Sequence, residues 1–542
     1  MPELKLWFES KEESLSVRAF SVEEGISQLF QVSIVALSRR PDLDLESLVG
    51  RPASFRALSG VAHVTRWGRH WKGIVTHVEQ VQPEVSDVGL STYSLPIVPT
   101  LWLLTQRRGN RIFQHLSVPD IADKLLAEWE ITPDWAVDRG AYPKLEYKVQ
   151  YGETDYVFLC RLLEEAGSAF VFPQTEEAGS RLLLGDHLTT GKPHEASPIR
   201  YVDAPNQSAQ KEFVTDVQLS HGVRPGVYTI RDHDFRKPDY ALFGKATGGP
   251  ATEARYEQYH YQPGAFLAET GKASGTPHAD DKGIARPDEA TGTSLAERML
   301  GAERAGKQQI AFQTNVMGLG PGMIFAVDNH PHPALAVGER LLITDFRLEG
   351  SAVGEWTMLG KATTAKTPYR PPLVTPRPEV RGVESAVVVG PPGEEIHTDE
   401  LGRARVQFPW DREGKLDDTS SCWMRVSQGW AGTGFGALNL PRVGQEVLVG
   451  FLAGNPDQPI IVGRVFNGKS LVPYKLPDNK TRSAWRSDSS PDGGGYNEIL
   501  FEDAKDRELV YEQAQKNRRR LVKNDETLTI GHARAIGPKP AG

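Results

Sequence analysis

Cysteine is nearly absent from this chain. Cys160 and Cys422, the two cysteines among 542 residues, cannot supply a secreted disulfide framework or a four-cysteine zinc site, and they imply folding in a reducing cytoplasm. The opening MPELKLWFESKEE lacks the basic start and apolar run of a signal peptide, and no window approaches the roughly 18 uninterrupted apolar residues of a membrane span. A charge excess of one sign is missing too. With 62 basic and 70 acidic residues the net charge is −8, so no global field favours nucleic acid. Neither H-E-x-x-H nor G-x-S-x-G occurs, which removes the commonest metalloprotease and serine-hydrolase signatures.

What is present is turn-rich and β-like. The chain holds 52 glycines and 38 prolines against a hydrophobic fraction of 39%, and its length calls for several domains. Alternating runs such as FQVSIVAL (30–37) and WKGIVTHVEQV (71–81) predict strands. Two helices stand out. SVPDIADKLLAEW (117–129) has Ser117 as N-cap and Pro119 in the first turn; TDYVFLCRLLEEAG (154–167) starts at Thr154, stops at Gly167, and places Val157, Cys160 or Arg161, and Leu163 to Glu164 on one stripe. Strands resume through VYTIRDHDF (227–235). A low-complexity stretch (270–294) reads as a mobile surface loop, followed by a helix over 295–307 and the strands MIFAVD and ERLLITDFRLEG.

PYRPPLVTPRPEV (368–380) reads as a semi-rigid linker and a domain boundary. Beyond it, ESAVVVG, GRARVQFPW, CWMRVSQGW, GQEVLVGFL and PIIVGRVF suggest a small closed barrel of the oligonucleotide/oligosaccharide-binding (OB) type. Arg403, Arg405 and Arg425 beside Trp423 and Trp430 are the mixture a single-strand binder uses, although on barrel strands such residues also serve as packing and solvated faces. GRVFNGKS (463–470) fits the phosphate-cradling pattern G-x-x-x-x-G-K-[ST] letter for letter. That chemistry needs a helix to begin at once, and Pro473 and Pro477 forbid one. His330 and His332 near Asp328 sketch a metal site without a third ligand, and a surface turn explains NHPHP equally well.

Several long, ordered and collinear segments resemble one family. HTDELGRARVQFPWDREGK (397–415), WMRVSQGWAG (423–432), PRVGQEVLVGFLAGNPDQPIIVGRVFNG (441–468) and GGGYNEILFEDAKDRELVYEQAQKN (493–517) look like type VI secretion spike proteins, the VgrG family. RRGNRIFQHLSVPDIADKLL (107–126) and YGETDYVFLCRLLEEAG (151–167) are similar to its hub segments.

The resemblance implies a mainly β, multidomain fold shared with the hub and needle of contractile phage tails. Expected are a first hub barrel (1–95), an α/β insert (96–200), a second hub barrel (201–370), an OB-type neck barrel (380–468) and the start of a trimeric β-helix needle (479–542). Each hub barrel is expected to close its own sheet and to stay folded when separated. LVGRPASFRAL…WKGIVTHVEQ and LGPGMIFAVDN…ERLLITDFRLE echo one another as a duplication would. GRVFNG is where the family's barrel ends, so Lys469 and Ser470 begin the connection to the needle.

By composition 508–523 favours a helix. Yet NEILF and ETLTIG read as strands, and Leu509, Ala514 and Leu521 make a poor helical stripe, which agrees with a needle and leaves Arg518, Arg519 and Arg520 on a solvated outer surface. The valine-glycine octads of many members are missing after KNDETLTIG, so the spike is short or the chain is truncated.

The implied function is structural: a tip that caps the tube, punctures target membranes and delivers effectors. It is not an enzyme; only about 25 residues join barrel and needle, too few for a lysozyme domain. No catalytic, cofactor-binding or metal residues are assigned and no cofactor is expected. The partners implied are two further copies (a homotrimer), the hexameric tube protein, baseplate components, a tip-capping PAAR-type protein, separate effector proteins and the target membrane, with no specific nucleic acid. Assembly is expected in the cytoplasm, with export through the machine without a signal peptide. The alternatives are the spike of a phage-like extracellular injection particle, and a P-loop nucleotide or cell-wall hydrolase.

Overall fold

A computed structural model describes residues 3–59, 67–82, 89–175, 179–204, 211–236, 238–239, 241–265, 289–336, 338–354 and 356–531. The chain divides into two compact units, Met1–Pro392 with Ile396–Gly463 and Gly393–Glu395 with Arg464–Gly542.

The larger unit begins with seven strands: β1 (Glu3–Phe8), β2 (Ser16–Gly25), β3 (Gln31–Ser38), β4 (Pro52–Ser59), β5 (Trp67–Val75), β6 (Glu79–Gln82) and β7 (Ser91–Val98). In β3 the alternation is plain. Val32, Ile34 and Ala36 face inward, as period-2 side chains on a half-buried strand must. The order β1-β4-β5-β7-β3-β2 continues without a break into Leu341–Ser351, Thr357–Thr364, Gln308–Thr314 and Phe213–His221, as one 14-stranded sheet.

The two hub halves therefore do not close separate sheets, contrary to the expectation that each would stand alone. β2 pairs antiparallel with Leu341–Ser351, Val22 opposite Leu348, because an open edge is satisfied best by the nearest complementary edge. One core runs beneath both halves and includes Phe20, Phe55, Trp71, Phe312, Phe325 and Phe346. The echoed segments fall on comparable hairpins, β4 against β5 and Ile324–Phe325 against Leu341–Ser351.

Inside this core lies a charged pair. Arg69 Nη2 donates to Glu24 Oε1 at 3.0 Å and lies 2.7 Å from Oε2, Trp71 Nε1 also donates to Oε1 at 3.0 Å, and the guanidinium lies 4.8 Å from the Trp71 ring and 5.6 Å from Phe346. Gly320 makes room for it, since a Cβ there would come within 2.9 Å of Arg69 Nη2.

Between the halves, α1 (Val118–Ala127) and α2 (Asp155–Ala166) form as the sequence predicts. Ser117 and Asp120 make a reciprocal capping box, Thr154 caps α2, and Gly167 ends it at φ 72°. Phe158, Leu159, Leu162 and Leu163 pack on Ile121, Leu125 and Leu126. The expected single stripe is too narrow, however: Cys160, Arg161, Leu163 and Glu164 are buried as expected and Val157 is half-buried, while Phe158, Leu159 and Leu162 outside the stripe are buried too.

The low-complexity stretch lies outside the described residues up to 288; its remainder opens α3 (Glu289–Glu303), which starts before the predicted 295. Ala296, Met299 and Leu300 of α3 cover one face of the sheet Leu242–Thr247, Val227–Asp232, Glu257–Tyr261.

The stretch 368–380, expected as a semi-rigid linker, is pinned to α2. Both Val374 N and Thr375 N donate to Glu164 Oε2 (3.1 and 3.0 Å), Thr375 Oγ1 donates to Glu164 Oε1 (2.7 Å), and Arg377 pairs with Glu165 (2.9 Å). The division into compact units falls at 463–464, within the last strand of the neck barrel.

Replacing Glu24 with alanine should cost about 3–5 kcal/mol, because Arg69 would remain buried and unpaired. The urea midpoint of the hub transition measures this.

Candidate assembly surface

The neck barrel follows the order Arg405–Gln407, Glu384–Val389, Glu446–Phe451, Pro459–Val465, Arg425–Val426, and a bridge between Ala404 and Met424 brings the outer strands together. Its interior is Ala386, Val388, Val406, Phe408, Met424, Val447, Val449 and Ile461, to which the hub insert adds Tyr147 and Val149.

The arginines that suggested a single-strand binder are engaged within the fold. Arg236, Arg403 and Arg425 stand 4.8, 5.8 and 4.5 Å from the Phe235 ring; Arg403 also pairs with Asp399 (2.6 Å) and Arg236 with Asp234 (2.8 Å). Arg405 lies 4.7 Å from the Trp423 ring, whose other neighbour is His397. Arg403 and Arg425 against Phe235 are thus cation–π locks between barrel and hub. Trp430 alone of this set is exposed, on a hairpin.

A second lock explains the charged side of α2. Lys148 Nζ lies 2.8 Å from both Glu165 and Asp457, Asp457 also accepts from Val149 N, and Arg161 holds Glu153 at 2.6 Å. Burial would raise the Glu165 carboxyl, but Lys148, Arg377 and Arg161 outweigh it and hold the group at about 2. Glu164, with less positive charge around it, is raised by burial against the hydrogen bonds of Thr375 and Val374.

The other motifs resolve into local structure. After the strand Pro459–Val465 no helix follows; Asn467 Oδ1 accepts from Lys469 N and Ser470 N at 2.9 and 2.8 Å, closing an Asx turn, and Lys469 is exposed. His330 Nδ1 and His332 Nδ1 accept from His332 N and Ala334 N, so NHPHP is a turn. Among the described residues no three His, Cys, Asp or Glu side chains gather as metal ligands. Burial raises the Cys160 thiol to about 12, and Cys422 is buried in the barrel. Among the described residues no helix is long and apolar enough to cross a membrane.

The smaller unit contains the most exposed apolar sheet. Strands Arg482–Arg486, Glu498–Glu502 and Leu509–Gln513 form an antiparallel meander, with Trp485 opposite Ile499 and Phe501 between Ser483 and Val510. On one face Leu500 is buried, Glu498 accepts from Tyr474, and Glu502 accepts from Thr481 and Arg482. The opposite face carries Trp485, Ile499, Phe501 and Val510, exposed by 75, 42, 46 and 63%. The helix that composition favours at 508–523 does not form, because Phe501 and Ile499 pair Val510 and Glu512 into the ladder. ETLTIG has no ladder either, in contrast to its strand-like pattern. Arg518 pairs with Glu512 and Arg520 with Glu526, and all three arginines 518–520 are exposed.

A shared-sheet hub, a five-stranded neck and a tail with an open apolar face define a baseplate hub-and-spike protein. The sequence matches the family "Phage tail baseplate hub (GPD)" over 23–354, the "Type VI secretion system/phage-baseplate injector OB domain" over 394–466 and the "Bacteriophage T4 gp5 C-terminal trimerisation domain" over 483–537. It is similar to the Pseudomonas aeruginosa type VI secretion system spike proteins VgrG4b (38% identical, covering 96% of this chain and 63% of that one) and VgrG1a (33%, 94% and 76%). The chain thus spans under two thirds of the first relative's length. In fold it is similar to the Escherichia coli c3393 protein, a type VI secretion component (TM-score 0.59, 20% identity, 85% of this chain and 100% of that one). The chain belongs to the VgrG family of type VI secretion system spike proteins.

Two outcomes are expected. Glu165 has a depressed folded-state pKa, so its contribution is complete above about 4.5 and is lost as pH falls toward 2, amounting to about 3 kcal/mol. Melting curves between pH 6 and 3 should therefore fall less steeply for Glu165→Gln. Phe501→Asp, which places a charge on the apolar face, should raise the apparent dissociation concentration of the oligomer more than tenfold in native mass spectrometry.

Proposed function

We propose that this chain is the structural tip of a type VI secretion machine, acting as a homotrimer. The observation that carries this reading is the apolar face of Trp485, Ile499, Phe501 and Val510, which lies in the segment similar to a phage trimerisation domain. Left wet, such a face and its two open strand edges invite pairing; three copies wound together satisfy both. The parts are a hub of two β halves (1–95 and 201–370) around an insert (96–200), a neck (380–468) and the needle start (479–542). Two β halves from each of three chains make six similar units, which suits a seat on a hexameric tube.

The spike caps that tube, is assembled in the cytoplasm, and is driven through the target membrane by sheath contraction, leaving by the machine itself rather than by a signal peptide. Its role is mechanical. The Asx turn at Asn467 and the backbone-engaged histidines argue against nucleotide or metal chemistry. Effectors are separate proteins borne on the spike, and a tip-capping protein and baseplate components complete the assembly. The solved Francisella PdpA-VgrG complex, similar in fold at a TM-score of 0.56, is an example of a spike protein joined to another component.

Gene replacement tests this reading. In the source bacterium, Phe501→Asp should abolish release of tube protein into the medium, and Lys469→Ala should leave it unchanged. Normal release by the first variant, or loss with the second, would contradict the proposal.

A further inference from the structure

The neck carries an apolar knob that the tail does not explain. Ala431–Gly432 and Phe435–Gly436 form a two-stranded hairpin, and every residue from 429 to 436 is exposed. Trp430 and Phe435 clasp edge to face across it, ring centroids 5.7 Å apart, yet they remain 64 and 60% exposed. The backbone is built for this arrangement. A Cβ on Gly432 would come within 2.3 Å of the Phe435 ring, and Gly436 sits at φ 143° with a would-be Cβ 2.5 Å from the Trp430 carbonyl oxygen. Glycine at both positions thus lets two large rings stand together in water. The segment 429–439, GWAGTGFGALN, contains no charged residue, and Leu438 adds a side chain 76% exposed. Scattered exposed hydrophobes need no explanation, but a preorganised aromatic pair on an uncharged projection does.

The same barrel offers a seat. On Glu446–Phe451 and Pro459–Val465, Val447, Val449 and Ile461 point inward, so Leu448, Ile460 and Val462 lie on the outer wall by alternation. Gly450 and Gly463 flank them: a Cβ on Gly450 would meet Val462 at 3.3 Å, and one on Gly463 would meet Leu448 at 3.5 Å. Val462 is 46% exposed. By the same alternation Glu446 and Arg464 stand at the ends of this wall, and the patch between them is apolar and low-relief at Gly450, which suits the flat faces of aromatic rings.

We infer that the hairpin of one chain docks on the barrel wall of the next chain in the trimer, a second assembly contact independent of the tail. The occupant is another copy of this chain because the tail tethers it there. Only the 16 residues 466–481 connect each barrel to the tail sheet, so a trimeric tail holds three barrels at high effective concentration. Knob and seat are different surfaces, and a head-to-tail contact of this kind closes into a ring when three copies are held about one axis. The inference rests on the trimer reading.

Hydroxyl-radical footprinting of the full chain, read by peptide mass spectrometry beside native mass spectrometry, separates the two. In trimeric wild-type protein, oxidation of Trp430 and Phe435 should be at least fivefold slower than in the Phe501→Asp variant under monomeric conditions. Trp430→Cys combined with Val462→Cys should form a disulfide-linked trimer on oxidation, whereas either cysteine alone should not. Equal oxidation in trimer and monomer would overturn the inference while leaving the trimer intact, and would assign the hairpin to a different protein. Protection without the cross-link would overturn the proposed seat. A wild-type chain that is monomeric by native mass spectrometry would defeat the trimer reading itself, and this contact with it. Because both rings are exposed within one chain, Trp430→Ser with Phe435→Ser should leave the melting temperature of the monomeric form unchanged, which shows that lost assembly is not lost folding.

Discussion

Every strand in this protein has to find a partner for its edge and for its apolar face, and the architecture follows from where those partners are. In the hub both are found within the chain. The edge of β2 is taken by Leu341–Ser351, a strand more than three hundred residues away, so two β halves become one sheet over one core. In the tail the described residues supply three strands. One face is closed by Leu500 and the satisfied carboxylates of Glu498 and Glu502; the other is left apolar and wet. A surface of that kind specifies an oligomer as directly as a buried core specifies a fold.

The rigidity a spike requires comes from charged groups placed where hydrophobic packing alone would leave joints free to slide. α2 is the clearest case. One side packs into the insert core, while Arg161, Glu164 and Glu165 on the other fasten the strand Lys148–Thr154, the stretch 368–380 and the neck turn at Asp457. Breaking such a buried network costs far more than a surface pair, because each lost partner leaves a buried charge behind. The arginines around Phe235 serve the same end between barrel and hub. Arginine and aromatic residues on an OB-type barrel are therefore no guide to nucleic acid unless they are open to solvent.

Local chemistry was legible from the residues alone. Ser117, and Thr154 with Gly167, define helix ends because caps act within a turn. The alternation of β3 and the prolines after Ser470 are equally local. The family was legible as well, since its segments are long and collinear.

What the tertiary structure decided is what depends on distant partners. Composition favoured a helix at 508–523, yet Val510 opposite Phe501 makes a strand, because ladder and face burial outweigh a propensity worth tenths of a kcal/mol per residue. Proline-rich 368–380 is fastened by Glu164 and Glu165, and no pattern within the stretch could reveal carboxylates two hundred residues away. A single stripe was all that periodicity could give α2, whose charged residues are buried because the neck and the stretch 368–380 lie against them. The sequence determines which surfaces need partners through its alternation, caps and glycines. The tertiary structure alone determines which partners are already inside the chain and which must come from another.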